Sequence, residues 1–127
     1  EKQKLKEALF RELELDHEAS VRVLEALENN FYLSAVNLSH NGFTEKLSES
    51  ISQLFSSEKC RLKYINLSNN YLTDDVLKNL NVKSFLKSCR CLVLRHNSFN
   101  NEGAKQIIQL ILNNEHLSRV DIRKNLI

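Results

Sequence analysis

Four stretches of the chain share one pattern of apolar and polar positions, which is apolar-x-x-apolar-x-apolar-x-x-Asn. They cover residues 33–41, 62–70, 89–97 and 117–125. The closing asparagines are spaced 29, 27 and 28 residues apart along the sequence. A fixed period of this size is typical of a solenoid, in which stacked units share a continuous core. Such proteins more often bind macromolecules than perform chemistry.

A second apolar pattern follows each asparagine. Apolar or small residues stand two, six and ten positions after it, and they are Phe43, Leu72, Phe99 and Ile127, then Leu47, Val76 and Gly103, then Ile51, Leu80 and Ile107. A spacing of four is a helix period, whereas the alternation inside the first pattern is a strand period. Each unit is therefore predicted to be a strand, a turn and a helix, with the strands aligned in parallel.

The N-terminal 30 residues are predicted to be helical. Leu5, Leu9 and Leu13 recur every fourth residue, which predicts a helix over 2–14. Asp16 is a candidate N-cap for a second helix over 17–30. We interpret 1–30 as a helical cap with a degenerate first repeat, and 31–127 as the repeats. The last repeat is incomplete, which suggests a monomer or a fragment of a longer repeat protein.

Composition and charge exclude several classes of function. The chain has 127 residues, enough for one domain, and contains no apolar run long enough to cross a bilayer. Residues 1–30 carry 5 Lys/Arg and 8 Asp/Glu, and residues 31–127 carry 13 and 8. This basic excess is too small for a dedicated nucleic-acid binder. The three cysteines lack a framework spacing and favour a reducing, cytoplasmic location.

The repeated motif resembles the leucine-rich repeat, in the ribonuclease-inhibitor-like subtype that has a helix in every unit. The resemblance covers residues 17–127. It implies an α/β solenoid with a curved parallel sheet on the concave face and helices on the convex face. It also implies an intracellular protein that grips another protein with the concave face. The asparagines at 41, 70, 97 and 125 are then scaffold, since such side chains bond to turn amides.

Strand alternation leaves a defined set of side chains on the concave face. Its C-terminal half is basic, because Arg95, Arg119 and Arg123 face a single carboxylate, Asp121. One interpretation is that these side chains simply extend into water, where repulsion is screened. The other is a patch for a protein partner with an acidic surface. The candidate partner-binding residues are Tyr64, Asn66, Arg95, His96, Arg119, Asp121 and Arg123.

No motif predicts catalysis, a cofactor or a metal site. His40 and His96 share a repeat position but lie two strands apart, about 9.6 Å by strand spacing. That separation is too large for two ligands of one zinc ion. The sequons at Asn37 and Asn66 arise from the repeat pattern itself, and phosphate loops and nucleophile motifs are absent.

We therefore predict a non-catalytic protein–protein interaction module. One alternative is a regulatory module that acts on a GTPase or another enzyme, since the Ran GTPase-activating protein has this repeat subtype. A second alternative is a structural subunit of a large cytoskeletal or ciliary assembly. A third is an effector that a pathogen secretes into a host cell. Fold-level resemblance does not decide among these functions.

Overall fold

A parallel five-stranded sheet organises the molecule, whose computed structural model describes residues 7–127. The strands are β1 (Glu7–Leu9), β2 (Ala35–Asn37), β3 (Tyr64–Asn66), β4 (Cys91–Val93) and β5 (Arg119–Asp121), and they lie in this order across the sheet. Register pairs Val36 with Ile65, Ile65 with Leu92, and Leu92 with Val120. The four predicted strands and their parallel alignment are confirmed.

The core lies between the sheet and the helical segments. Because alternate strand residues point to opposite faces, the central residues Val36, Ile65 and Leu92 are inward and at most 1% exposed. Most of the predicted positions after the asparagines are also buried, including Phe43 and Phe99, whereas Leu80 is half-buried and Ile127 is 59% exposed. The buried apolar residues form one contiguous cluster along the chain, as expected when neighbouring units share a core.

Within residues 7–127, three α-helices follow the strand segments. They are α1 (His17–Asn29), α2 (Ser48–Phe55), which a 3₁₀ turn over Glu45–Leu47 precedes, and α3 (Asn101–Leu112). Asp16 caps α1 as predicted, since its Oδ1 accepts a hydrogen bond from the Ala19 amide at 2.8 Å. Asn100 caps α3 in the same way. The buried positions Ile51 and Ile107 lie on the core-facing sides of α2 and α3.

The unit that contains β3 has no α-helix, so the prediction of one helix per unit is wrong there. Only a 3₁₀ turn over Asp74–Leu77 follows the asparagine, and further turns extend to residue 88. Asn79 has a positive φ of 59°, which a continuing helix cannot accommodate. Phe85 fills the space instead, because it is buried edge-on against Phe55 with ring centroids 5.9 Å apart.

The N-terminal segment differs from the predicted helix. Residues 2–6 lie outside the described part of the chain, but residues 7–9 form β1 and pair with β2. Ala8 is buried, whereas Leu9 is 68% exposed and Leu13 is 50% exposed. The leucine spacing was misleading, because pairing with the free edge of β2 outweighs a local helical preference.

The four repeat asparagines form the predicted scaffold. Asn70 Oδ1 accepts from the amides of Asn41 and Phe43 at 3.1 and 3.0 Å, and its Nδ2 donates to Leu38 and Leu67 carbonyls. Asn41, Asn97 and Asn125 make equivalent bonds, since each Oδ1 accepts from an amide of the preceding segment and each Nδ2 donates to a carbonyl of its own turn. The preceding residue is left-handed in each case, with φ of 57°, 56°, 56° and 61° at His40, Asn69, His96 and Lys124.

Candidate functional site

The sheet presents its second face, which we call the open face, away from the core. Parallel register arranges its outward side chains in columns that run across the strands. The first column is Ala35, Tyr64, Cys91 and Arg119; the second is Asn37, Asn66, Val93 and Asp121; the third is Ser39, Ser68, Arg95 and Arg123. Neighbouring strands lie about 4.8 Å apart, so side chains in one column contact each other readily.

All seven candidate residues line one cavity of about 430 Å³ on the open face. Ser68, Asn69 and Val93 complete its lining. The cavity spans β3, β4 and β5, and so occupies the C-terminal half of the open face. Tyr64 is half-buried there, and its hydroxyl accepts a hydrogen bond from Asn66 Nδ2 at 3.2 Å. His96 is exposed at the rim.

Asp121 and Arg123 form a closed pair inside this cavity. Arg123 donates from Nε to Asp121 Oδ1 at 2.9 Å and from Nη2 to Oδ2 at 2.7 Å, which is bidentate geometry. The Arg123 amide adds a third bond to Oδ1 at 3.1 Å. Hydrogen bonding from Arg123 is the largest cause that lowers the pKa of Asp121 to about 2, and the charge of Arg95 contributes. Asp121 is therefore a buried, ionised carboxylate.

Arg123 consequently does not contribute a free positive charge to the site. The sequence predicted three arginines that share one carboxylate, but the structure assigns that carboxylate to Arg123 alone. Within residues 7–127, neither Arg95 nor Arg119 forms an ion pair. Arg119 is exposed and Arg95 is half-buried. These two residues are the available cations of the cavity.

Sequence reasoning missed two features of the open face. Val93 is not among the candidate residues, although it occupies the position of a hydrogen-bond acceptor in the other repeat strands. Sequence reasoning also missed β1, which adds Glu7 and the exposed Leu9 to the opposite end of the face. The spacing of Ala8 and Phe10 is the signal that could have identified β1, because it matches that of Val36 and Leu38.

The described residues contain no group of three His, Cys, Asp or Glu side chains that could hold a metal ion. In the same part of the chain, no helix has both the length and the apolar character needed to cross a membrane. The cysteines at 60 and 89 are buried, whereas Cys91 is half-buried in the first column. Burial raises the pKa of the Cys89 thiol to about 12.

Comparison with known proteins supports the repeat assignment. The Leucine Rich Repeat family model matches residues 32–54 and 61–82. No curated protein matches the chain in sequence.

Two solved structures are similar in fold. One is the tropomodulin C-terminal domain of Caenorhabditis elegans, with 20% identity and a TM-score of 0.79 over 93% of this chain and 73% of that chain. The other is actin-binding site 2 of leiomodin-1, with 17% identity and a TM-score of 0.75 over 93% of this chain and 70% of that chain. Residues 32–54 and 61–82 are thus similar in sequence to leucine-rich repeats, and the chain shares its α/β fold with both domains.

Proposed function

We propose that the chain is a non-catalytic module that binds a partner protein through the open face. The single observation that carries this proposal is the cavity of about 430 Å³ across β3, β4 and β5. It combines a half-buried tyrosine with two arginines that form no ion pair with any residue of 7–127. Tyr and Arg are the residue types that most often dominate the energy of protein interfaces. An acidic surface on the partner would complement Arg95 and Arg119.

The architecture suits this role. We propose that the units form a short solenoid of the ribonuclease-inhibitor-like subtype, in which the open face is concave and the helices cover the convex side. Residues 1–30 would close its N-terminal end, and residues 31–127 would present the binding surface. A concave face surrounds its partner and so contacts it with several strands at once. The free cysteines are consistent with a cytoplasmic location.

Actin is the first specific partner to test. A domain with this fold is an actin-binding site in leiomodin-1. At 17% identity the likeness shows only a shared fold. Actin binding by this chain is therefore a candidate function that needs its own test. If the chain binds actin, it would act as part of a cytoskeletal assembly.

Pull-down with the purified chain tests both proposals. The immobilised chain is offered purified monomeric and filamentous actin, and separately a eukaryotic lysate whose captured proteins are identified by mass spectrometry. Two variants alter the cavity, Tyr64→Ala and Arg119→Glu. Lys83→Glu is the matched control, because Lys83 is exposed in the turn segment before β4 and does not line the cavity.

We expect both cavity variants to lose at least nine-tenths of the captured partner, while Lys83→Glu retains it. Far-UV circular dichroism and thermal melting verify that each variant is folded. Face-dependent capture of another protein, without actin, would support the module and eliminate actin. Capture that is indifferent to both cavity substitutions would refute binding through the open face.

A further inference from the structure

One hydrogen-bonding arrangement recurs along the second and third columns of the open face. Asn37 Oδ1 accepts from the amide of Ser39 at 2.9 Å and from its hydroxyl at 2.6 Å. Asn66 Oδ1 accepts in the same way from Ser68, at 2.9 and 2.7 Å. Asp121 accepts from the amide and the guanidinium of Arg123. The second-column residue therefore supplies the acceptor for the third-column residue two positions later.

The strand β4 breaks this arrangement. Its second-column residue is Val93, whose side chain cannot accept a hydrogen bond, and its third-column residue is Arg95. The Nε of Arg95 is shielded from solvent and has no hydrogen-bond partner among residues 7–127. A shielded donor without an acceptor is uncommon, because it has lost its water without replacement.

Neighbouring strands give the Nε of Arg95 no hydrogen-bond acceptor within residues 7–127, although the charge of Arg95 does act on Asp121. Across β3, the hydroxyl of Ser68 donates to Asn66 and does not accept from Arg95. Across β5, both carboxylate oxygens of Asp121 are engaged by Arg123. Arg95 is thus a cation at the centre of the cavity, with a donor whose internal acceptor is missing.

We propose that Arg95 is the specificity-determining residue of the open face and that it binds an Asp or Glu side chain of the partner protein. This inference rests on the proposed function and specifies its chemistry. The carboxylate supplies the acceptor that Val93 does not provide. It reaches the terminal Nη groups first, and rotation of the Arg95 side chain lets it take the Nε–H as well.

The adjacent strand gives the reason for a carboxylate. Asp121 shows how a carboxylate fits an arginine of the third column, with one oxygen on Nε and the other on Nη2. Such bidentate pairing is specific to the planar guanidinium, and a lysine ammonium does not reproduce it. Arg119 lies on the neighbouring strand and adds a second cation to the same cavity.

Restoring the missing acceptor gives the sharpest test. Val93→Asp should pair internally with Arg95 as Asp121 pairs with Arg123, and so block the site without removing a basic residue. Val93→Ala is the matched control, since it also lacks an acceptor. Val93→Asn, which copies Asn37 and Asn66, replaces Val93→Asp if the buried charge prevents folding. Arg95→Lys separates the guanidinium from its charge.

The probe is the acetylated and amidated tetrapeptide of glutamate. Its binding is followed by NMR through the Nε–H resonance of Arg95, and in Arg95→Lys through the backbone amide of residue 95. The corresponding tetraglutamine peptide controls for the carboxylates. We expect a saturable shift with the glutamate peptide only. Val93→Asp and Arg95→Lys should weaken peptide affinity at least tenfold, whereas Val93→Ala should stay within threefold. An Arg95 signal that does not respond, or full affinity in Val93→Asp, would overturn the inference.

The same variants enter the pull-down so that the two proposals fail separately. Loss of capture by Tyr64→Ala and Arg119→Glu, together with full capture by Val93→Asp and Arg95→Lys, would reject the carboxylate anchor and leave the module standing. Loss of capture in all four variants, with capture retained in Val93→Ala, would support the anchor.

Discussion

The carboxylate of Asp74 lies directly against Gly103 and closes the N-terminus of α3. Asp74 Oδ2 accepts from the Gly103 amide at 3.1 Å, and Oδ1 accepts from the Asn100 amide at 3.1 Å. A Cβ atom on Gly103 would stand 2.0 Å from Asp74 Oδ1, which is inside van der Waals contact. The absence of a side chain at 103 therefore lets a carboxylate of one unit cap the helix of the next, where negative charge also complements the helix dipole.

This contact predicts a reversal of sign for Gly103→Ala. In the wild-type background, an alanine at 103 displaces the Asp74 carboxylate, which then loses its two hydrogen bonds. We therefore expect a net destabilisation of about 1 kcal/mol. In the Asp74→Ala background the clash is absent. There, the same substitution should stabilise the protein by about 0.5–1 kcal/mol, because alanine is the better helix former. Urea unfolding of the four proteins measures both effects, and equal signs in the two backgrounds would contradict the contact.

Asn97→Ala should be among the most destabilising polar substitutions in the chain. Asn97 is 6% exposed. Its removal leaves the Leu72 amide and the Leu67 and Leu94 carbonyls without their side-chain partner. We expect a loss of about 2–4 kcal/mol in the free energy of unfolding. Asn125→Ala is the comparison, since Asn125 is less buried and should cost less. A loss below about 0.5 kcal/mol for Asn97→Ala would show that the hydrogen bonds of this asparagine contribute little to stability.

The Asp121–Arg123 pair predicts a specific pH dependence of stability. The native pKa of Asp121 is about 2, below its ordinary value of 3.8. The unfolded state therefore binds the proton first, so the pair stabilises the fold above pH 3.8 and its contribution disappears as the pH falls towards 2. We expect wild type to exceed Asp121→Asn in stability by a constant amount near neutral pH, and by less and less below pH 3.8. A difference that persists unchanged at pH 2 would rule this out.

The three cysteines should differ in reactivity. Burial raises the pKa of the Cys60 and Cys89 thiols, so few thiolates form at pH 8 and access is poor. Ellman's reagent should label one thiol rapidly in the native protein, and Cys91→Ser should abolish this fast phase. Denaturant should then expose the remaining two. Fast labelling of native Cys91→Ser would show that Cys60 or Cys89 is accessible.

The sequence was sufficient for the repeating strand and its asparagine because both obey a strict local rule. The apolar positions of the motif enter the core and its asparagine bonds to turns, so the motif alone predicts the strand and the turn that follows it. The absence of an α-helix from the unit that contains β3 could not be predicted in this way. Val76 and Leu80 follow the helical spacing, but Asn79 is left-handed, and the buried Phe85 packs on Phe55 of the previous unit. Contacts of high sequence separation decided that segment.

The candidate site was predictable as a set of residues but not as a distribution of charge. Strand alternation places Arg95, Arg119 and Arg123 on one face whatever their rotamers are. Which arginine takes Asp121 depends on side-chain geometry within β5, and the shielded Nε of Arg95 depends on its packing. Neither property is encoded in spacing. The absence of an acceptor at Val93 becomes meaningful only beside Asn37, Asn66 and Asp121.

The asparagine ladder has a direction, and this direction makes each unit rely on the one that follows it. The side chain of Asn70 satisfies amides at Asn41 and Phe43, and that of Asn125 satisfies the amide of Phe99. A lesion at one asparagine therefore loosens the turn before it. In repeat proteins the free energy of unfolding depends strongly on the contacts between adjacent units. Grafting or deleting a unit would preserve the fold only where, at both new junctions, the asparagine of one unit again accepts hydrogen bonds from the amides of the unit before it.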